Sequence, residues 1–325
     1  RLANKCPVVN LTLRYNACSL SNETTIVALL IITTILWAFS FSLIGEYLAG
    51  SVDSYFSVLM RVGLAALVFL PFLRTRGQSP RTIVLYMLVG AMQLGIMYLL
   101  AFRAYLYLTV SEFLLFTVFT PLYITLIYDL LSGRKLRWGY LLSAALAVLG
   151  AAIIRYDKVS DHFWTGLLLV QLSNLCFAIG MVGYKRLMEV RPMPQHNAFA
   201  WFYVGAFIVA VAAWFMLGNA QKLPTTTLQW SVLVWLGVVA SGLGYFMWNY
   251  GATQVDAGTL GIMNNVHVPA GLLVNLAIWQ EQPHWPSFIS GALVILASLW
   301  VHRRWVAPHS GQTADDRRRG SAQSE

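Results

Sequence analysis

Apolar stretches of near-spanning length recur along the chain at 25–44, 54–73, 82–101, 110–130, 138–154, 165–184, 197–217, 230–250, 258–279 and 286–305, with short polar or basic links between them. A helix needs about 20 apolar residues to cross the hydrocarbon core, so the pattern predicts ten transmembrane helices. In lipid, each backbone polar group must be satisfied within its own segment, and the alternating pattern of barrel strands is absent. The expected fold class is an all-α polytopic membrane protein.

Composition agrees with that pattern. Of 325 residues, 58% are hydrophobic and 11% charged, against about 25% charged in ordinary globular chains, which excludes an ordinary soluble domain. The net charge of +9 is informative by position rather than by total. Counted over alternate links from the N-terminus, 17 basic residues fall on one side and only Arg103, Arg155, Lys158 and Lys222 on the other; dropping those far from a span leaves 12 against 4. Both termini are therefore expected in the cytoplasm. The excess calls for no nucleic-acid partner. Cys6, Cys18 and Cys176 have neither disulfide-framework nor metal-site spacing, so no metal or cofactor is expected. Segment 1–24 lacks the apolar core and cleavage site of a signal peptide and reads as a cytoplasmic N-terminal segment. The polar, Arg-rich stretch 306–325 reads as a disordered cytoplasmic tail.

Two long stretches resemble each other, "GIMYLLAFRAYLYLTVSEFLLFTVFTPLYITLIYDLL" from Gly95 and "GLGYFMWNYGATQVDAGTLGIMNNVHVPAGLLVNLAI" from Gly242. Pro121 and Pro269 correspond at an offset of 148, and Trp138 and Trp285 at 147. The membrane region thus divides into two five-helix repeats, 25–156 and 163–305. Five is odd, so the second repeat enters from the opposite side, an inverted-topology arrangement of the kind used for alternating access.

"ILWAFSFSLIG" in the first span, Arg61 in the second, Pro121 and Pro269 in the fourth and ninth, and "WQEQPHWPSFISGALVIL" near the end resemble the EamA-type drug/metabolite transporter superfamily, within it the carboxylate/amino acid/amine transporter group. The family often carries an acidic residue after the fourth helix of each half; Glu281 supplies it in the second, whereas Arg134 stands there in the first. The resemblance implies a multi-pass secondary transporter of the bacterial inner (cytoplasmic) membrane moving a small carboxylate or amine. Biotin uptake is the expected activity, and export of aromatic or other amino acids is the alternative.

Charged and amide side chains at membrane depth are expensive and are functional candidates by default. Arg61 is the one basic residue inside a span. It would bind a substrate carboxylate through its planar fork, pair with Glu112, or snorkel as a structural cation. The fourth span carries Glu112, Phe116, Phe119 and Tyr123 on one face, and the ninth carries Asn264, His267, Gly271 and Asn275. Two faces, one aromatic and one polar, are expected to confront each other across a central cavity, the competing reading being packing for the aromatics and interhelical hydrogen bonding for the amides. For a biotin-like solute, Arg61 would take the carboxylate, Asn264 or Asn265 the ureido group, and Trp37, Phe116 and Phe119 the apolar body. Glu112 and His267 are the titratable groups expected to couple transport to protons, His because it titrates near physiological pH. Trp248 and Asn249 stand near a span end, where an interfacial anchor is as good a reading as a site. No GxxxxGK[ST], HExxH or GxSxG occurs. An intramembrane enzyme would need convergent nucleophile and base, and a structural or sensory subunit would need no inverted repeat with polar faces.

Overall fold

The computed structural model describes residues 28–131, 161–255 and 257–280, with isolated positions at 26, within 142–153 and within 285–300. The expected spans 138–154 and 286–305, the segments 1–24 and 306–325, and the acidic-position pair Glu281 and Arg134 fall outside the continuous described segments.

Among the described residues every regular element is helical. Seven helices are long and apolar enough to cross a bilayer: α1 Ala28–Leu48, α2 Ser54–Phe72, α3 Pro80–Ala104, α4 Val110–Leu131, α5 His162–Val190, α6 Gln195–Leu217 and α7 Thr227–Ala252. An eighth, α8, runs Ala257–Val274 and continues as a π-helical turn over Asn275–Trp279. Each coincides with an apolar stretch, and several run beyond it, as α3 and α7 do at their starts, Pro80 and Thr227, where polar caps set the end. Asp53 accepts from the Phe56 amide at the start of α2, Ser79 from Thr82 at the start of α3, and Thr109 with Glu112 closes a capping box on α4, as Thr226 with Gln229 does on α7. Each such cap contributes about 1 kcal/mol.

The distribution of side chains is that of a membrane protein. Phe215 and Met216 are 81% and 80% exposed, whereas Arg61 is 3% exposed and Gln93 and Asn249 are fully buried. Apolar groups thus face outward and polar groups inward, the arrangement expected when the surrounding solvent is hydrocarbon. The chain is therefore a multi-pass membrane protein.

Inside, α3 and α6 touch backbone to backbone. A Cβ added at Gly90 would overlap the Phe202 carbonyl, and one at Gly205 the Met87 carbonyl, so two glycines permit the close approach that dispersion-driven helix association in membranes requires. Phe69 on α2 packs with Phe199 and Tyr203 on α6 and Phe246 on α7. α1 ends in a π-helical turn over Ile44–Leu48, and two long helices carry π-helical segments in their interior, α3 over Ala91–Ile96 and α7 over Leu236–Leu243. The offset of 147 that aligns Gly95 with Gly242 brings these two interior segments into register. Trp248 and Asn249 are both fully buried, which corrects their reading as interfacial anchors: α7 runs on to Ala252, and the Trp248 indole donates to the Met181 sulfur on α5.

Candidate functional site

Arg61 lies in the first half of α2, on its buried side. Its Nε donates to the Ser241 hydroxyl at 2.6 Å, and its guanidinium carbon stands 4.2 Å from the centre of the Tyr98 ring. Ser241 is presented by the π-helical segment of α7, a backbone form frequent at functional sites, and Tyr98 shares the Ser241 hydroxyl at 2.9 Å. The Tyr203 hydroxyl donates to the Ser241 carbonyl at 2.6 Å. Among the described residues no carboxylate pairs with Arg61; Ser241 takes the hydrogen bond from Nε, and the Tyr98 hydroxyl is the other polar group beside the guanidinium. Both terminal nitrogens, with four N–H donors, remain uncommitted.

From this cation an aromatic wall extends. Trp37 on α1 lies 4.5 Å from Tyr245 and 5.0 Å from Trp248, centre to centre, and meets Phe177 edge-on. Its indole N–H donates to the Ala240 carbonyl at 3.2 Å, which locks the ring against the same π-helical segment that holds Ser241. Tyr98 meets Tyr245 edge-on at 5.8 Å.

A second polar cluster joins α4 to α8. Pro121 lacks the N–H that would reach the Thr117 carbonyl, and the Thr120 hydroxyl takes its place at 2.7 Å. Here α4 tightens into a 3₁₀ turn over Thr117–Phe119. The carbonyl of Phe116 accepts from Asn174 and Gln171 of α5. The Thr117 hydroxyl donates to the Leu114 carbonyl at 2.6 Å and lies 2.9 Å from His267 Nε2. Asn264 and His267 are each 3% exposed, and Asn264 Nδ2 and His267 Nδ1 are buried without a hydrogen-bond partner. These groups line one cavity with Arg61, Tyr98, Trp37, Phe177 and Tyr245. Its volume open to the centre of a water molecule is about 60 Å³, room for about four to six waters at 10–15 Å³ each.

Of the residues singled out by sequence, Arg61, Trp37, Asn264 and His267 meet in this cavity, and Glu112, Phe116, Phe119 and Tyr123 lie outside its lining. Glu112 does not reach Arg61; its carboxylate accepts from the Thr109 amide at 2.9 Å in the capping box. Phe116 packs edge-on against Phe163 of α5, and the Tyr123 hydroxyl donates to Gln171. The side chain of Asn265 lies outside the described residues. The α4 face turned to α8 carries Ser111, Leu114 and Thr117, which meet Asn275, Gly271 and His267, rather than the aromatic face expected from helical spacing. Sequence reasoning missed Tyr98, Ser241, Tyr245 and Thr117. The signal for two of them was present: Tyr98 and Tyr245 stand at the repeat offset of 147, three residues after the aligned glycines.

Residues 24–156 and 164–303 each match the EamA-like transporter family. The chain is 83% identical over 298 residues to the Escherichia coli (strain K12) protein named "Biotin transporter", spanning 92% of this chain and 100% of that one. It is 55% identical over 276 residues to a Pseudomonas aeruginosa protein named "Probable biotin transporter", spanning 84% and 96%. A solved crystal structure described only as that of a protein shares the fold with a TM-score of 0.60 at 17% identity, over 90% of this chain and 99% of that one.

Proposed function

Because the chain belongs to the EamA-like transporter family, we propose that it takes up biotin across the bacterial inner membrane by alternating access, with the solute's carboxylate held at Arg61. The substrate is suggested by the relatives named as biotin transporters at 83% identity. The observation that carries the reading is Arg61 itself, a buried guanidinium among aromatic rings whose four terminal N–H donors make no hydrogen bond of ordinary geometry and meet no carboxylate among the described residues. A buried unpaired charge is costly, and a mobile anion that pairs with it offsets that cost only while bound.

The carrier has ten spans, two inverted five-helix repeats at 25–156 and 163–305, and both termini in the cytoplasm. The basic-residue count of 17 against 4 and the aligned π-helical segments of α3 and α7 support this arrangement. The cavity draws Arg61 and Tyr98 from the first repeat and Tyr245, Asn264 and His267 from the second, as expected of a binding site at the interface of inverted repeats. At about 60 Å³ it holds waters and not a bicyclic acid, so loading requires the aromatic wall to part.

Growth of a biotin-requiring strain on trace biotin, with and without this chain, tests the reading together with uptake of labelled biotin by membrane vesicles. Removing the chain is expected to abolish both. Unchanged growth and uptake would refute biotin as the solute.

A further inference from the structure

The cavity has a second polar end that the carboxylate does not use. Asn264 and His267 stand three residues apart on α8, on one face of the helix. Both are more than nine-tenths buried, both line the cavity, and each carries one orphaned polar atom. What those atoms offer follows from their neighbour. The single hydroxyl hydrogen of Thr117 is committed to the Leu114 carbonyl at 2.6 Å, so toward His267 its oxygen accepts, and His267 Nε2 carries the proton across the 2.9 Å contact. A neutral imidazole protonated at Nε2 presents Nδ1 as a bare acceptor. Asn264 Nδ2 is a donor by its chemistry. The pair therefore carries one donor and one acceptor, three residues apart on one face of α8.

We propose that Asn264 and His267 read the N–H and C=O edge of a ring-held urea, Asn264 donating to the carbonyl oxygen and His267 Nδ1 accepting from the adjacent N–H. Ring closure fixes these two groups on the same edge, which complements the protein pair. A carboxylate, with acceptors only, and a guanidinium, with donors only, each leave one protein atom unsatisfied. Buried polar groups left unpaired are the strongest source of discrimination a site can have. The inference rests on the biotin reading and deepens it: the solute is recognised at its two polar ends, by Arg61 and by this pair, and between them only by aromatic surface. It also assigns a further activity. Desthiobiotin keeps the cyclic urea and the carboxylate and lacks the sulfur ring, so the carrier should take it up as well.

Labelled-biotin uptake into vesicles is measured against unlabelled desthiobiotin, 2-iminobiotin and octanoate. In the wild type, desthiobiotin should compete within about tenfold of biotin, and 2-iminobiotin, whose guanidinium is cationic at neutral pH, far more weakly. Asn264→Asp replaces the donor with an acceptor. It should weaken biotin at least about tenfold and strengthen 2-iminobiotin relative to biotin at least about a hundredfold, leaving octanoate as it was. A uniform loss for all competitors, or an unchanged ratio of biotin to 2-iminobiotin, would overturn the proposal. If Asn264→Asp does not reach the membrane, His267→Phe carries the test, since it keeps a ring against Phe41 and removes the acceptor. Loss of biotin affinity with octanoate unchanged supports the reader, and equal loss for both overturns it. Wild-type vesicles that take up no biotin would refute the transport reading itself. Normal wild-type uptake with unaltered variant selectivity refutes only the urea reader.

Discussion

Replacing Arg61 by Met separates a substrate-binding cation from a structural one. The side chain keeps its length, so the aromatic wall keeps its packing, and Tyr98 keeps its hydrogen bond to Ser241. What is lost from the empty protein is one bond, Nε to Ser241 at 2.6 Å, and the contact with the Tyr98 ring at 4.2 Å. Against those losses stands relief from a buried charge with no carboxylate partner among the described residues, so folding should be neutral or improved. The solute loses far more. Two charge-assisted hydrogen bonds from the free terminal nitrogens, at about 1.5–3 kcal/mol each, total about 3–6 kcal/mol, or roughly a hundredfold to ten-thousandfold in affinity. Arg61→Lys keeps the charge and loses the fork and the Ser241 bond, and should fall between, at about ten- to hundredfold. The assay is competition of labelled biotin uptake by biotin and by its uncharged methyl ester. Wild type should prefer the acid by the factor lost on substitution, and Arg61→Met should bind acid and ester alike, closing a cycle in which the coupling belongs to the Arg–carboxylate pair. An equal loss of acid and ester, or normal uptake by Arg61→Met, would refute the assignment.

Three further outcomes follow from the interior. Gln93 and Asn249 exchange hydrogen bonds at 3.1 and 3.3 Å between α3 and α7; either single change to Leu should cost about 1–3 kcal/mol by orphaning the partner, and the double change should cost at least about 1 kcal/mol less than the sum, as read by thermal unfolding in detergent, strict additivity being the contrary result. Gly90→Ala should drive a methyl into the Phe202 carbonyl and lower stability by about 1–3 kcal/mol or more, seen as lost monodisperse protein, and an unchanged melting curve would contradict the close approach of α3 and α6. Glu112→Gln should leave uptake and its response to an imposed pH gradient unchanged, because Gln at the third helical position still closes the capping box, whereas a lost pH response would return Glu112 to the coupling machinery.

Hydropathy made the spans legible because the cost of unsatisfied backbone in lipid is local: each helix must be apolar over its own length, whatever it packs against. Some helix ends were less so: α2 and α4 start where the apolar stretches do, but Ser79 and Thr226 start α3 and α7 ahead of theirs, where hydropathy is silent. Arg61 stood out because a cation at depth has few cheap explanations. Its partner Ser241 did not, because a serine in a membrane helix costs little and therefore signals little.

Faces failed where lengths succeeded, and the backbone supplies the reason. Assigning residues to a face assumes 3.6 residues per turn throughout. Between Thr117 and Phe119 α4 winds as a 3₁₀ helix, with 3.0 residues per turn, so each residue advances about 20° further than assumed and three of them turn the face by about 60°. Residues after the turn, Tyr123 among them, are rotated relative to those before it; Phe116 precedes the turn and faces α5 because the stripe turned to α8 is Ser111, Leu114 and Thr117. The π-helical segments of α3 and α7 shift the phase in the other sense. The repeat is immune to this error, because both copies carry the π-helical segment at the aligned place, over Ala91–Ile96 and Leu236–Leu243. A residue matched across the repeat therefore keeps its partner's surroundings even where its angle on an ideal helix is wrong. Tyr98 and Tyr245, 147 apart and 5.8 Å between ring centres, face one cavity for that reason. In a duplicated membrane chain the alignment of the halves is thus a better guide to the site than the face of either helix.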